Sequence, residues 1–184
     1  MALLDSVRLE ELTPSRLWSA LDTETRASAA RALYSKGRGV SDAARLEADL
    51  AIAHALKFRA SAVRKLPLER RIAYLSRAAR PDDGLAASLL LALHLETRAS
   101  MLASFLDFLG IPHENGLIRE DHELEPPDPS ALEAAVNELF EAFPAEEVSL
   151  YLASLLAVDR ETWRGLAPLL ARRSGTPAAP SGLE

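Results

Sequence analysis

Leu66-Pro67-Leu68-Glu69-Arg70-Arg71-Ile72-Ala73-Tyr74-Leu75-Ser76-Arg77-Ala78-Ala79-Arg80-Pro81-Asp82 is the stretch from which the architecture is read. A bulky apolar residue, Leu66, closes one helix, Pro67 opens a second and Asp82 opens a third. Proline suits a first helical turn because the N–H it lacks would have no partner there, and an aspartate side chain accepts from the free N–H groups of a helix start. The same order returns 77 residues further on: Phe143-Pro144-Ala145-Glu146, then Tyr151-Leu152, then Asp159. The echo suggests an internal duplication of a helical unit. Repeated helical units build scaffolds more often than catalytic centres.

Working outward, start signals recur along the chain. Thr13-Pro14 opens a short helix through Leu21, and Asp22 caps a second through Ala29, Leu33 and Tyr34. Gly37-Arg38-Gly39 marks a turn with no phosphate-cradling motif after it. Ser41 caps a helix expected to run to about Lys65, with Leu46, Leu50, Ala53, Leu56, Ala60 and Val63 forming its inward stripe. The turn Pro81-Asp82-Asp83-Gly84 leads into a helix expected to continue to Leu109, where Gly110 and Pro112 stop it. At 1.5 Å per residue this helix would be roughly 40 Å long. Its first half is apolar nearly all round, which places it at the centre. Residues 111–127 form a long acidic connector holding Asn115-Gly116, and Asp128-Pro129 restarts the helices: Pro129 to Phe143, Pro144 to Ala157, and Arg160 to about Arg172.

Composition narrows the class. A chain of 184 residues buries about 70% of its unfolded surface and needs no metal or disulfide to fold. The absence of cysteine removes disulfides, thiol nucleophiles and thiolate zinc sites. The first twelve residues carry Asp5, Arg8, Glu10 and Glu11, unlike a secretory leader, and the apolar run Gly84–Leu95 is shorter than the about 20 residues a membrane span needs. A bacterial-type cytoplasmic location without membrane attachment is the expectation. The net charge of −6 is uneven, with 15 Lys/Arg and 9 Asp/Glu in residues 1–80 against 6 and 18 afterwards. Such a split means either a basic binding face or two halves that attract one another.

Lys57, Arg59, Arg64, Lys65, Arg70, Arg71, Arg77 and Arg80 face Glu69 alone within 57–80. Arg70, Tyr74 and Arg77 share a helix face at i, i+4 and i+7, an arrangement in which guanidiniums hold phosphates beside a ring. The competing expectation is a strip neutralised from within by the acidic half. His113-Glu114 and Asp121-His122-Glu123 carry metal-ligating types, yet their spacing matches no ligand motif and reads as a solvated linker. His94, inside an apolar run, is expected to bond a neighbouring helix, and Trp18 and Trp163, in short amphipathic helices, are expected as core or staple residues.

The sequence therefore predicts an all-α fold, a multi-helix bundle or short α-solenoid-like array with an internal duplication and a long central helix. A single domain would occupy 1–173, with units 42–109 and 129–172 joined by the connector 110–128, and a disordered tail over 174–184. No catalytic residue, cofactor or metal site is assigned. The leading functional expectation is a non-enzymatic protein–protein interaction or scaffold module with a protein or peptide partner. The alternative is nucleic-acid or polyanion binding through strip 57–80, with Arg70, Arg71, Tyr74 and Arg77 as anion-binding residues. A metal-dependent hydrolase using His113 and His122 ranks third.

Overall fold

Capping decides where the helices begin. Thr13, Asp22, Ser41, Asp82 and Asp128 each turn a side-chain oxygen onto the first N–H groups of the helix they precede. Asp22 Oδ1, for example, accepts from the N–H groups of Glu24 and Thr25, both at 2.8 Å. Each such cap is worth about 1 kcal/mol. The computed structural model describes residues 9–35, 39–119 and 121–174, with backbone alone at Ser174. Residues 36–38 and those from 175 onward lie outside the described residues, and with them fall most of the turn expected at Gly37-Arg38-Gly39 and the expected disordered tail.

Among the described residues the chain is all-α. A short 3-10 turn, Leu9–Glu11, precedes α1 (Pro14–Ala20), α2 (Thr23–Tyr34), α3 (Asp42–Leu56), α4 (Ala60–Val63), α5 (Leu68–Arg77), α6 (Asp83–Thr97) and α7 (Ala99–Phe108). A two-stranded hairpin, β1 (His113–Glu114) and β2 (Leu117–Ile118), separates these from α8 (Pro129–Ala142), α9 (Ala145–Val158) and α10 (Leu166–Ser174). Helix α6 touches α1, α2, α3, α7 and α9, which puts it at the centre as its composition requires. Its Leu85, Ala86, Leu89, Leu90, Ala92 and Leu93 are buried, and one contiguous apolar cluster extends from Leu12 to Leu170. Both tryptophans belong to it.

Three expectations are corrected. The long central helix is two helices, α6 and α7, bent by 96° at Arg98. Neither glycine nor proline marks the break. Thr97 Oγ1 donates back to the Leu93 carbonyl at 2.7 Å, and the Arg98 guanidinium reaches Glu147 on α9. Local and tertiary bonds together replace helix continuation, and the bend folds Met101, Leu102, Phe105 and Leu106 into the core. Among the described residues no single helix is long and apolar enough to cross a membrane.

The helix expected from Ser41 to Lys65 likewise ends at Leu56. Lys57 takes the left-handed conformation, with φ 54°, while Phe58 N–H bonds the Ala53 carbonyl and Lys57 N–H bonds that of His54. This is a Schellman close built without glycine. The inward stripe is also displaced: α3 buries Ala44, Ala48, Asp49, Ile52 and Ala53, leaving Leu46 and Leu50 46% and 49% exposed. Residues two apart on a helix point about 200° away from each other. Burial of Asp49 beside Ala48 and Ile52 therefore turns the leucines outward.

The connector is ordered over its first part. Asn115 and Gly116 have φ of 52° and 87°, the two positive values of a type I′ hairpin turn, with His113 opposite Ile118 and Glu114 opposite Leu117. A Cβ at Gly116 would stand 2.6 Å from Leu102 Cβ, so glycine also allows the hairpin to lie against α7.

The duplication stays unconfirmed. At the 77-residue offset α9 begins where α5 does, but continuous α8 corresponds to the broken segment containing Lys57. Tyr151 is buried while Tyr74 is only partly so. Asp159 is followed by turns where Asp82 starts α6 directly.

Candidate functional site

Helix α5 carries the basic residues that the sequence singles out, and the structure separates them. Arg71 leans across to α3, where Asp49 Oδ1 accepts from its Nε at 2.9 Å and its Nη2 at 2.6 Å. The Tyr34 hydroxyl donates to the same oxygen at 2.8 Å, and the guanidinium carbon lies 4.1 Å from the Tyr34 ring centroid. Burial, then the bond to Asp49, push the Tyr34 hydroxyl well above its usual range. Asp49 is only 3% exposed. A buried ion pair that loses one member leaves the other charge uncompensated, a loss of about 3–5 kcal/mol. Arg71 is thus occupied in tying α5 to α2 and α3. Tyr74 is half-buried, and Arg70 and Arg77 are exposed.

Among the described residues no ion pair joins the basic strip to the acidic half. Ion pairs joining described residues stay within their own half of the chain: Arg31–Glu69, Arg45–Asp42 and Arg71–Asp49 on one side, Arg98–Glu147, Arg119–Asp121 and Arg172–Glu133 on the other. Among the basic strip only Arg71 has such a partner. The reason lies in packing, since α5 lies on α2 and α3 and α4 lies on α3, away from the acidic elements.

Two concavities meet at the corner between α5 and α6, where Ala78 and Arg80 line both. One, about 630 Å³, runs along α3. Leu50, Ala51, Ala55 and Leu85 give it an apolar floor, and Glu47, Asp82 and Arg80 a charged rim. Leu46 stands one turn before Leu50, and Phe58, 51% exposed, follows the end of α3. On the other side of the corner a larger cleft opens between α1, α2 and the end of α5.

His94 lies away from both. Its Nε2 is 3.0 Å from Ser154 Oγ, which itself donates to the Leu150 carbonyl, and its Nδ1 is 3.3 Å from Arg98 Nη1. Arginine only donates, so Nδ1 accepts and Nε2 carries the proton that Ser154 receives. Burial, reinforced by the Arg98 charge, lowers this imidazole to about 3. The neutral ring therefore serves as a bond between α6 and α9, as the sequence leads one to expect.

In the connector, His113 Nε2 bonds Asp107 at 3.1 Å while its Nδ1 accepts from Gly116 N–H. Among the described residues no three His, Asp or Glu side chains gather as metal ligands. Sequence reasoning missed Asp49, whose only signal was an acid among inward-facing alanines. It also placed Leu46 and Leu50 inside. No known protein family, curated protein or solved structure matches this chain.

Proposed function

We infer that the protein is a non-enzymatic interaction module whose α3 face receives an apolar helix or peptide from a protein partner. The observation that carries this reading is the pair Leu46 and Leu50, about half exposed one turn apart, beside a groove with an apolar floor. Single exposed leucines are ordinary on protein surfaces. A contiguous row that continues into a groove is the form in which amphipathic helices are taken up. The rim residues Glu47, Asp82 and Arg80 favour a segment with polar flanks. A photo-crosslinking residue placed at 46 or 50 should yield a discrete adduct in cells, and one at exposed Glu138 should not. Equal or absent labelling at all three positions overturns the reading.

A second reading, polyanion binding through strip 57–80, is favoured by one observation: apart from Arg71 its cations have no ion pair among the described residues.

A further inference from the structure

We propose that the cleft between α1, α2 and the end of α5 is a binding site for a compact multiply charged phosphate group. The cleft shares Arg80 with the α3 groove but needs no partner there, and it narrows the polyanion reading to one cleft. The cavity is about 1050 Å³, and Arg16, Arg26, Arg77 and Arg80 line it, with Glu11 the acid among its lining residues. Arg16 is already bonded to the Glu11 carboxylate. Arg26, Arg77 and Arg80 have no ion pair with a described residue. In a chain of net charge −6, three uncompensated guanidiniums around one concavity are an unusual concentration of positive charge.

Guanidiniums bind phosphate oxygens with paired, charge-assisted hydrogen bonds, and Arg77 and Arg80 are exposed to the cleft's solvent. Trp18 Nε1 and Arg26 Nε, by contrast, are buried N–H donors with no acceptor among the described residues and are closed to the solvent of the cleft. The carboxyl end of α5 opposes an anion here, but a helix end is worth less than one charge-assisted bond.

The shape of the site separates a compact phosphate from a nucleic-acid strand. Strand binding combines a charged track with exposed rings on which bases stack. Trp18, the ring in this cleft, is 2% exposed and offers no stacking face. Arg70 and Tyr74, the pair suited to stacking, do not line the cleft.

Isothermal titration of the full chain at about 20 mM salt, with sodium tripolyphosphate, inorganic phosphate and a single-stranded oligonucleotide, tests the proposal. Tripolyphosphate should bind at least about tenfold more tightly than phosphate, since each further charge-assisted bond adds that much. Arg80→Gln, at an exposed position, should weaken it about tenfold, and so should Arg26→Gln, with far-UV circular dichroism checking the fold. Arg70→Gln should leave it within about twofold. Absence of tripolyphosphate binding overturns the proposal. So does a loss in Arg70→Gln as large as in Arg80→Gln. Oligonucleotide binding tighter than that of tripolyphosphate, lost in Arg70→Gln, also overturns it while preserving the wider polyanion reading.

Discussion

His94 shows how a single side chain couples packing to pH. Its imidazole is held neutral between Ser154 and Arg98 and titrates at about 3 instead of 6.5. Between those values the unfolded chain binds a proton that the folded protein refuses. Stability from this group is therefore complete above pH 6.5 and is lost as pH falls toward 3, by up to about 1.4 kcal/mol per pH unit. Urea unfolding between pH 7 and pH 5 should show a loss of about 2 kcal/mol that His94→Gln removes, whatever that change does to stability at pH 7. An equal slope in both proteins would show that the ring is protonated in the folded state. At this scale the sequence was informative where the chemistry is local. The caps at Asp22, Ser41 and Asp128 form as their residue types require. Asp49 was not legible, because its reason for burial is Arg71, which lies 22 residues further along the chain and meets it only in the folded molecule.

Among the elements, α6 and α3 form an instructive contrast. Both are rich in leucine and alanine, yet Leu89 and Leu93 of α6 are fully enclosed while Leu46 and Leu50 of α3 face outward. Leu89→Ala and Leu93→Ala should each destabilise the protein by about 2–5 kcal/mol, through lost transfer energy and the cavity left behind. Leu50→Ala should stay within about 0.5 kcal/mol. Thermal denaturation of the three variants checks this ranking, and a Leu50→Ala loss as large as that of Leu89→Ala would return α3's leucines to the core. Apolar periodicity locates a helix and its length approximately. It does not fix rotation about the axis when alanine and leucine alternate around it, since either face can pack. Breaks are equally hard to read where no glycine or proline marks them. Lys57 and Arg98 end their helices through bonds to Ala53, His54 and Glu147, and only the folded chain brings Glu147 to Arg98.

Across the whole molecule, the apolar cluster from Leu12 to Leu170 joins segments that the sequence sets far apart. Trp18 lies toward one end of the chain and Trp163, 5.8 Å from the Phe105 ring, toward the other. If the cluster behaves as one cooperative unit, Trp18→Phe and Trp163→Phe proteins should give coincident urea transitions when each is followed by its remaining tryptophan. Midpoints well separated relative to their stabilities would reveal two units folding on their own, and would revive the duplicated architecture that the helix pattern does not confirm. The all-α class was legible because capping and composition act within a few residues of chain. The cleft arginines were not, because Arg16, Arg26, Arg77 and Arg80 come from three separate helical regions.

Ion pairing within each half has a consequence for the protein as an object in solution. Among the described residues no ion pair joins the two halves, so the net charge of −6 conceals exposed, unpaired guanidiniums at Arg70, Arg77 and Arg80. An anionic resin, membrane or neighbouring molecule is met by these groups first, over distances of about 10 Å at ordinary salt. Adsorption to anionic surfaces is thus expected through that corner of the protein in spite of its negative net charge.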